Sequence, residues 1–177
     1  MYDIEITNAT IVDGLGSEAY EGNIYVKDGE ISTITYKETF EASVSINASG
    51  KIVTPGFIDL HTHSDISFLL DSTAQSKVRQ GVTLELIGNC GLSLCAPLIG
   101  DARDMFDTWV SDHTDSYDPT WTDYAGYIEA SEKAKATVNI AFQIGHASLR
   151  LAVMGQDDRS PTAEELTEMK RLAGESL

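Results

Sequence analysis

The sequence has little cysteine, little positive charge and no long apolar run. Its two cysteines, Cys90 and Cys95, are too few for a disulfide framework and favour a reducing cytoplasm. With 12 Lys and Arg against 28 Asp and Glu, the formal charge is −16, which disfavours nucleic acid and anionic membranes as partners. No run approaches the ~20 residues of a spanning helix, and the N-terminus lacks secretory-signal features. We therefore expect a cytoplasmic protein without nucleic-acid or membrane partners.

Residues 1–54 are dominated by short strand patterns. Asn23–Lys27 and Ile31–Thr35 flank Asp28-Gly29, a dipeptide typical of a two-residue hairpin turn. Residues 44–46 and 51–53 have the same alternating character. We expect this part to form a small antiparallel β-sandwich layer, which is too small to be stable alone and belongs to a composite domain.

Residues 55–177 have a different pattern. Near-continuous apolar runs at 52–60, 82–87 and 138–144, separated by helical segments, predict a parallel sheet buried on both faces. The repeat gives three βα units, whereas a complete eightfold barrel takes about 250 residues. The predicted fold is therefore α/β, an incomplete (β/α)8 TIM barrel preceded by the β-sandwich layer. The chain is expected to stop partway through that barrel.

Helices are predicted at four places between these runs. One covers residues 72–80 and ends at Gly81, and a short one lies around residues 105–110. A third opens at Thr120–Asp123 with a pattern resembling a capping box. The fourth follows Pro161, where Thr162 and Glu165 form a capping box and the buried stripe comprises Leu166, Met169, Leu172 and Ala173.

The most informative motif is His61-Thr62-His63, at the end of the apolar run that begins at Gly56. Side chains of a β-strand alternate between its faces, so these two histidines point to the same side. Active sites of parallel barrels lie at the carboxyl ends of the strands. The motif indicates half of a metal site, although a hydrogen-bonded polar pair at the edge of a core would show the same spacing.

Cys90 is the third candidate metal ligand. It lies in Gly88-Asn89-Cys90-Gly91, one strand-helix-strand repeat beyond the histidine pair. Zinc prefers nitrogen and thiolate ligands, so a cysteine at the end of the next strand suits the same site. The alternative is a buried, inert cysteine, which is the role expected for Cys95.

Six sequence blocks together resemble the amidohydrolase superfamily and, within it, the D-aminoacylase (N-acyl-D-amino-acid deacylase) family. The blocks occur in family order and cover nearly the whole chain: Thr54–Asp65, Gln80–Thr83, Gly88–Ser93, Gly145–Arg150, Val153–Gly155 and Arg159–Leu166. Hydantoinases, dihydroorotases and many deaminases share the first block. The Gly-Asn-Cys-Gly block followed by Gly-His-x-x-Leu-Arg narrows the resemblance to the deacylases.

The resemblance implies a zinc-dependent enzyme that hydrolyses a small N-acyl-D-amino acid to a carboxylate and a free D-amino acid. It implies one tight zinc site that contains Cys90 and two histidines from later strands. His61 and His63 would line a second, weaker metal position. The family's acid–base aspartate would follow Leu177, so no catalytic residue is assigned, and this chain alone is expected to be inactive.

Five further residues are singled out near these motifs. Asp59 and Asp65 would orient the imidazoles, with a turn or helix-cap role as the alternative for Asp65. His146 would contact substrate or organise its loop, and Arg150 would meet a substrate carboxylate or form a salt bridge. Glu85 lies inside an apolar strand, so its carboxylate needs a partner or access to solvent.

Three other hypotheses are open at this stage. A cyclic-amide hydrolase of the hydantoinase or dihydroorotase type would be favoured by a metal-bridging lysine after a later strand, and Cys90 argues against it. A non-catalytic truncated remnant would hold at most half of a metal site. A nucleotide-binding α/β protein is disfavoured because Gly88–Gly91 lacks the spacing and the lysine of a phosphate-binding loop.

Overall fold

The computed structural model describes residues 1–111, 114 and 119–176 and shows a mixed α/β chain. His113, which the sequence predicts to be solvated in a polar loop, lies outside these residues. The chain divides into two compact units, Met1–Pro55 and Gly56–Leu177, which are described separately. Within the described ranges, no helix is both long enough and apolar enough to cross a membrane.

The first unit is a five-stranded sheet. Its strands are β1 (Tyr2–Ile11), β2 (Tyr20–Lys27), β3 (Glu30–Thr35), β4 (Ala42–Asn47) and β5 (Ile52–Val53). The order is β3-β2-β1-β4, and β5 also pairs with β1. The predicted hairpin is confirmed, since β2 and β3 pair antiparallel. Asp28 and Gly29 have φ values of +53° and +81°, as the favoured two-residue hairpin turn requires.

The prediction of a wholly antiparallel layer is wrong, because β1 pairs parallel with both β4 and β5. Residues 36–41 carry the chain back across the sheet, and Tyr25 holds this crossing in place. The Tyr25 hydroxyl donates to the Glu38 carbonyl at 3.4 Å and accepts from the Phe40 amide at 3.2 Å. The Tyr25 ring is fully buried and lies 5.1 Å from the rings of Tyr2 and Phe40. Aromatic packing therefore stabilises a crossover in place of a hairpin.

The second unit contains a parallel sheet of β6 (Phe57–Asp59), β7 (Val82–Ile87) and β8 (Asn139–Phe142), in the order β6-β7-β8. The predicted parallel pairing is confirmed, but burial on both faces is wrong for β6. Phe57 is 57% exposed and Ile58 is 58% exposed, since β6 is a three-residue strand at the edge of the described sheet. The apolar run 52–60 does not form a single strand. Ile52 and Val53 form β5, which pairs with β1 in the first unit, whereas Phe57–Asp59 form β6 in the second unit.

Helices connect and follow these strands. They are α1 (Ser67–Leu70), α2 (Gln75–Val78), α3 (Asp101–Ser111), α4 (Tyr124–Ala134), α5 (His146–Met154) and α6 (Ala163–Glu175), with a 3-10 turn at Asn89–Gly91. Helix α2 is shorter than predicted because Ala74, with a φ of +43°, precedes it in a left-handed conformation. Helix α3 is longer than predicted.

The two predicted helix starts have different outcomes. The capping box of Thr162 and Glu165 is confirmed at α6, although Leu166 of its predicted buried stripe is 42% exposed. At α4 the predicted box is absent from the described contacts, and Asp123 alone caps the helix by accepting a 2.9 Å hydrogen bond from the Gly126 amide. The Asp123 side chain is short enough to accept a hydrogen bond from an amide in the first turn of its own helix, as N-cap residues do.

The main core of this unit holds the loops that follow β6 and β7. Tyr127 of α4 is fully buried, and its hydroxyl donates to the Asp65 carbonyl at 2.6 Å. Trp121, just before α4, donates from its indole nitrogen to the Leu94 carbonyl at 3.1 Å. One aromatic pair therefore fixes both loops, and these loops carry the candidate site.

Candidate metal centre

The candidate metal centre lies where the loops after β6 and β7 meet. Because β6 and β7 are parallel neighbours, with Asp59 opposite Glu85, their carboxyl ends share one edge. His61, His63 and Cys90 each place a ligand atom there, and all three atoms lie within 4.8 Å of one another. His61 Nε2 is 3.2 Å from Cys90 Sγ. The strand ends at Asp59, so the histidines occupy the loop beyond it and not the strand itself.

This donor set fits a zinc ion. Bonds of about 2.1 Å to nitrogen and about 2.3 Å to sulfur place tetrahedral nitrogen and sulfur ligands about 3.5 Å apart. The distance of 3.2 Å between His61 Nε2 and Cys90 Sγ is close to that value. All three side chains are exposed, so an ion can reach them without unfolding the loops. The sequence-predicted ligands therefore converge on one small region.

A strained turn brings Cys90 to the histidines. Gly88 and Cys90 have φ values of +82° and +56°, which reverse the chain immediately after β7. A left-handed conformation at a residue other than glycine costs about 1–2 kcal/mol, and such strain concentrates at functional sites. Gly88 also has no room for a side chain, because a Cβ would lie 2.2 Å from the Gln143 carbonyl oxygen.

Asn89 links the two loops and was not identified from the sequence. Its side-chain amide donates to the Leu86 carbonyl at 2.7 Å and to the Thr62 carbonyl at 3.3 Å. Thr62 lies between His61 and His63, so this contact holds the histidine loop beside the cysteine loop. The position of Asn89 between the glycine and the cysteine was visible in the sequence, but its partner was not.

Lys77 is a second residue that was not identified from the sequence. Its Nζ lies 2.7 Å from Asp59 Oδ2 and 2.8 Å from Thr62 Oγ1, and 3.4 Å from Glu85 Oε1. Burial acts to lower the pKa of Lys77, but the hydrogen bond to Asp59 and the charge of Glu85 raise it overall. The Lys77 hydrogen bond, together with the His61 backbone amide, lowers the pKa of Asp59. Asp59 therefore supports His61 through the backbone.

Lys77 also provides the partner that Glu85 requires. Glu85 is 1% exposed, and its Oε1 forms an ion pair with Lys77 but lacks hydrogen-bond geometry with any described residue. Between Lys51 and Arg103, the sequence contains only Lys77 and Arg79 as cations. That scarcity was the signal that could have identified Lys77.

Asp65 is buried beside the centre. It is 4% exposed, and its Oδ1 has no hydrogen-bond partner among the described residues. Burial raises the pKa of Asp65 to about 6, although nearby backbone amides and the charge of His63 act in the opposite direction. Its backbone carbonyl accepts the Tyr127 hydroxyl, so Asp65 also anchors the histidine loop.

The remaining predicted residues lie outside the three-residue group. His146 is the exposed first residue of α5. The Arg150 guanidinium donates to the carbonyls of Asp157 and Arg159 at 2.6 and 2.5 Å and to the Met154 sulfur at 3.3 Å. Among the described residues, none of its partners is a carboxylate. Cys95 is buried and its thiol lies 3.1 Å from the Gln143 carbonyl. Burial raises the pKa of the Cys95 thiol to about 11.

Comparison with known proteins defines the class. Residues 45–177 match the sequence profile of the amidohydrolase family, and the chain belongs to this family. It is 35% identical to a D-aminoacylase of Alcaligenes xylosoxydans xylosoxydans, with 99% of this chain and 36% of that protein covered. An N-acyl-D-glutamate deacylase of the same organism is 33% identical, with 99% and 35% covered.

A solved structure agrees with these relatives. The N-acyl-D-glutamate deacylase of Bordetella bronchiseptica, in complex with zinc and a phosphonate inhibitor that mimics the tetrahedral intermediate, matches with a TM-score of 0.79 and 35% identity. The match covers 97% of this chain and 35% of that one. The chain therefore spans about a third of the length of the relatives it matches.

Proposed function

We propose that this chain is the N-terminal part of a zinc-dependent deacylase that hydrolyses N-acyl-D-amino acids to a carboxylate and a free D-amino acid. The observation that carries the proposal is the convergence of His61, His63 and Cys90 within 4.8 Å. The similarity to deacylases over nearly the whole chain supports the substrate class. A small N-acyl amino acid is the proposed partner.

The proposed architecture is the beginning of a (β/α)8 TIM barrel. The parallel strands β6, β7 and β8 with their helices would be its first three βα units, over residues 55–177. Residues 1–54 would contribute a β-sandwich portion of a composite domain. A barrel of this kind would have Cys90 and the histidine pair at the carboxyl ends of adjacent strands, where barrel active sites lie.

The proposed ligand roles differ between the two loops. Cys90 would bind the tight zinc as a thiolate, and His61 and His63 would line the weaker position as neutral imidazoles. Zinc, when bound, supplies a water of lowered pKa and polarises the amide carbonyl. The ion pair of Lys77 with Asp59, together with the Asn89 bridge, would hold the ligand loops in place. His146 would face the substrate or organise its loop, and Asp65 would border the site.

Metal titration tests the ligand roles. We expect the complete protein, which supplies the later ligands, to bind Zn²⁺, measured by equilibrium dialysis, and to show a thiolate-to-metal absorption band with Co²⁺. Cys90→Ser should abolish that band, whereas the matched control Cys95→Ser should retain it. A band that survives in Cys90→Ser, or that is lost in Cys95→Ser, would contradict the assignment of Cys90.

Sequencing the gene beyond the codon for Leu177 tests the enzymatic proposal. We expect the reading frame to continue and to supply two strand-end histidines and a late aspartate. The complete product should then release amino acid from N-acetyl-D-amino acids and not from their L-enantiomers. A stop codon directly after Leu177, or preference for a cyclic amide such as a hydantoin, would refute the deacylase proposal.

A further inference from the structure

We infer that the cavity beside His63 binds the acyl chain of the substrate and selects apolar chains longer than acetyl. The cavity has a volume of about 260 Å³. This inference rests on the proposed deacylase function, and it specifies which half of the substrate enters which part of the molecule.

One face of α3 forms the apolar wall of the cavity. Ala102, Met105, Phe106 and Trp109 all line it, and their spacing places them on a single side of the helix. Ala102 and Phe106 are each 1% exposed. Protein cores are normally close-packed, so a buried helix face that borders open space is a surface suited to an apolar ligand.

The opposite end of the cavity joins the metal centre. His63 and Asp65 line this end, so a ligand whose carbonyl lies at the metal centre could extend its acyl chain towards α3. The hydroxyls of Ser93 and Ser148, which also line the cavity, are already hydrogen-bonded to backbone groups at 2.7 and 2.9 Å. Selection along the cavity therefore depends on apolar contact and length.

The charges of the residues that line the cavity indicate which half of the substrate it binds. Of the lining residues that the structure describes, none is lysine or arginine, and one, Asp65, is a buried acid. The amino-acid half carries a carboxylate, which along the α3 wall would meet no lysine or arginine among the described lining residues and at the other end would meet the Asp65 carboxyl group beside His63. The acyl half is uncharged, so the cavity accommodates it without burying an unpaired charge.

Calorimetric titration with a series of N-acylglycines tests this assignment, because glycine has no side chain that could compete for the cavity. From N-acetylglycine to N-octanoylglycine, the Kd should decrease by about fourfold per methylene until the cavity is filled. The heat-capacity change on binding should become more negative along the series, as burial of apolar surface requires.

Two cavity variants and one control complete the design. Ala102→Leu should end the chain-length dependence at shorter acyl groups, and Met105→Asp, at a residue 37% exposed and thus tolerant of a polar side chain, should weaken octanoyl binding. Ala125→Leu, the same substitution at an exposed position of α4, should leave the series unchanged. Thermal unfolding of each variant verifies that it folds.

Three results would overturn the inference: a Kd independent of acyl length, cavity variants that behave like Ala125→Leu, or a series of N-acetyl-D-amino acids in which the amino-acid side chain sets the affinity. Zinc binding, measured separately, distinguishes this failure from failure of the proposed function. If Zn²⁺ binds through Cys90 but acyl length has no effect, only the cavity assignment is wrong. Acyl-length dependence without zinc binding would refute the metal assignment instead.

Discussion

Lys77 Nζ lies 2.7 Å from Asp59 Oδ2, and this ion pair joins the segment of α2 to the end of β6. Asp59 uses its other oxygen to accept the His61 amide at 3.2 Å. Because β6 contains only three residues, its ladder provides little support for the loop that follows. The ion pair supplies that support from outside the sheet.

We expect Lys77→Met to destabilise the protein by about 3 kcal/mol, because it leaves Glu85 as an unpaired buried charge. The measurement is the free energy of unfolding in urea. Arg79→Met removes a cation whose side chain, within the described part of the chain, donates to the exposed Gln75 side chain, and it should change stability by less than about 0.5 kcal/mol. Adding Glu85→Gln to Lys77→Met should restore part of the loss. Equal effects of Lys77→Met and Arg79→Met would show that the ion pair does not contribute to stability.

A second prediction concerns the start of α6. The hydrogen bond from Arg159 is the main cause that lowers the pKa of Glu165 to about 2, from an ordinary value of 4.5. A carboxylate whose pKa is lower in the folded state stabilises the protein above the unfolded pKa, and this contribution is lost as pH falls. We therefore expect stability to decrease from pH 5 towards pH 2, and Glu165→Gln should reduce this dependence.

The control for this titration is Glu164→Gln, an exposed neighbour in the same helical turn. The free energies of unfolding of the unsubstituted protein, Glu165→Gln and Glu164→Gln should be compared across the same pH range. Glu164→Gln should keep the pH dependence of the unsubstituted protein. A Glu165→Gln profile that coincides with the Glu164→Gln profile would contradict the stabilising role of the Arg159–Glu165 interaction.

Local sequence patterns were sufficient to predict part of this fold, whereas contacts between residues distant in sequence determined the rest. Asp28-Gly29 specifies a hairpin turn through its own backbone preferences, and Thr162 caps α6 through a partner three residues away. The parallel pairing of β1 with β4 depends instead on Tyr25 and a crossing segment distant in sequence. Such a contact has no local pattern.

The same distinction holds for the candidate site: residues in a local motif could be recognised from the sequence, and residues whose role depends on distant partners could not. His61, His63 and Cys90 were singled out from the sequence as candidate ligands because metal ligands require particular residue types, and the structure brings their ligand atoms within 4.8 Å of one another. Lys77 and Asn89 were not identified, since lysines and asparagines are common on surfaces and their role depends on which atoms they meet. The spacing of the histidine pair predicted that they lie together, but not that β6 ends before them.

Gly88→Ala tests the strained turn after β7. The new Cβ would lie 2.2 Å from the Gln143 carbonyl oxygen, at a φ of +82°, so the loop must move and Cys90 with it. We expect the free energy of unfolding to decrease by about 1–3 kcal/mol and Zn²⁺ binding to become weaker. Gly174→Ala, in α6 with no neighbour within 4 Å, should instead stabilise the protein by up to about 1 kcal/mol. Unchanged zinc binding in a folded Gly88→Ala protein would show that Cys90 does not depend on this turn.

Asn89→Ala tests whether the bridge between the two loops positions the ligands. The substitution removes the hydrogen bonds to the Leu86 and Thr62 carbonyls and leaves all three ligand atoms in the chain. Residues that support metal ligands typically contribute about 10–100-fold in affinity, so the Kd for Zn²⁺ should increase by at least about tenfold.

The matched control for Asn89→Ala is Asn139→Ala, which removes a hydrogen bond from a side-chain amide to the Thr83 carbonyl in the same sheet. It should change stability without changing the Kd for Zn²⁺, because β8 begins at the opposite end of the sheet from the ligands. The Co²⁺ absorption band provides a second measurement, since a displaced thiolate alters its position or intensity. If both variants bind zinc equally and give the same band, Asn89 stabilises the loops without positioning Cys90 relative to the histidines.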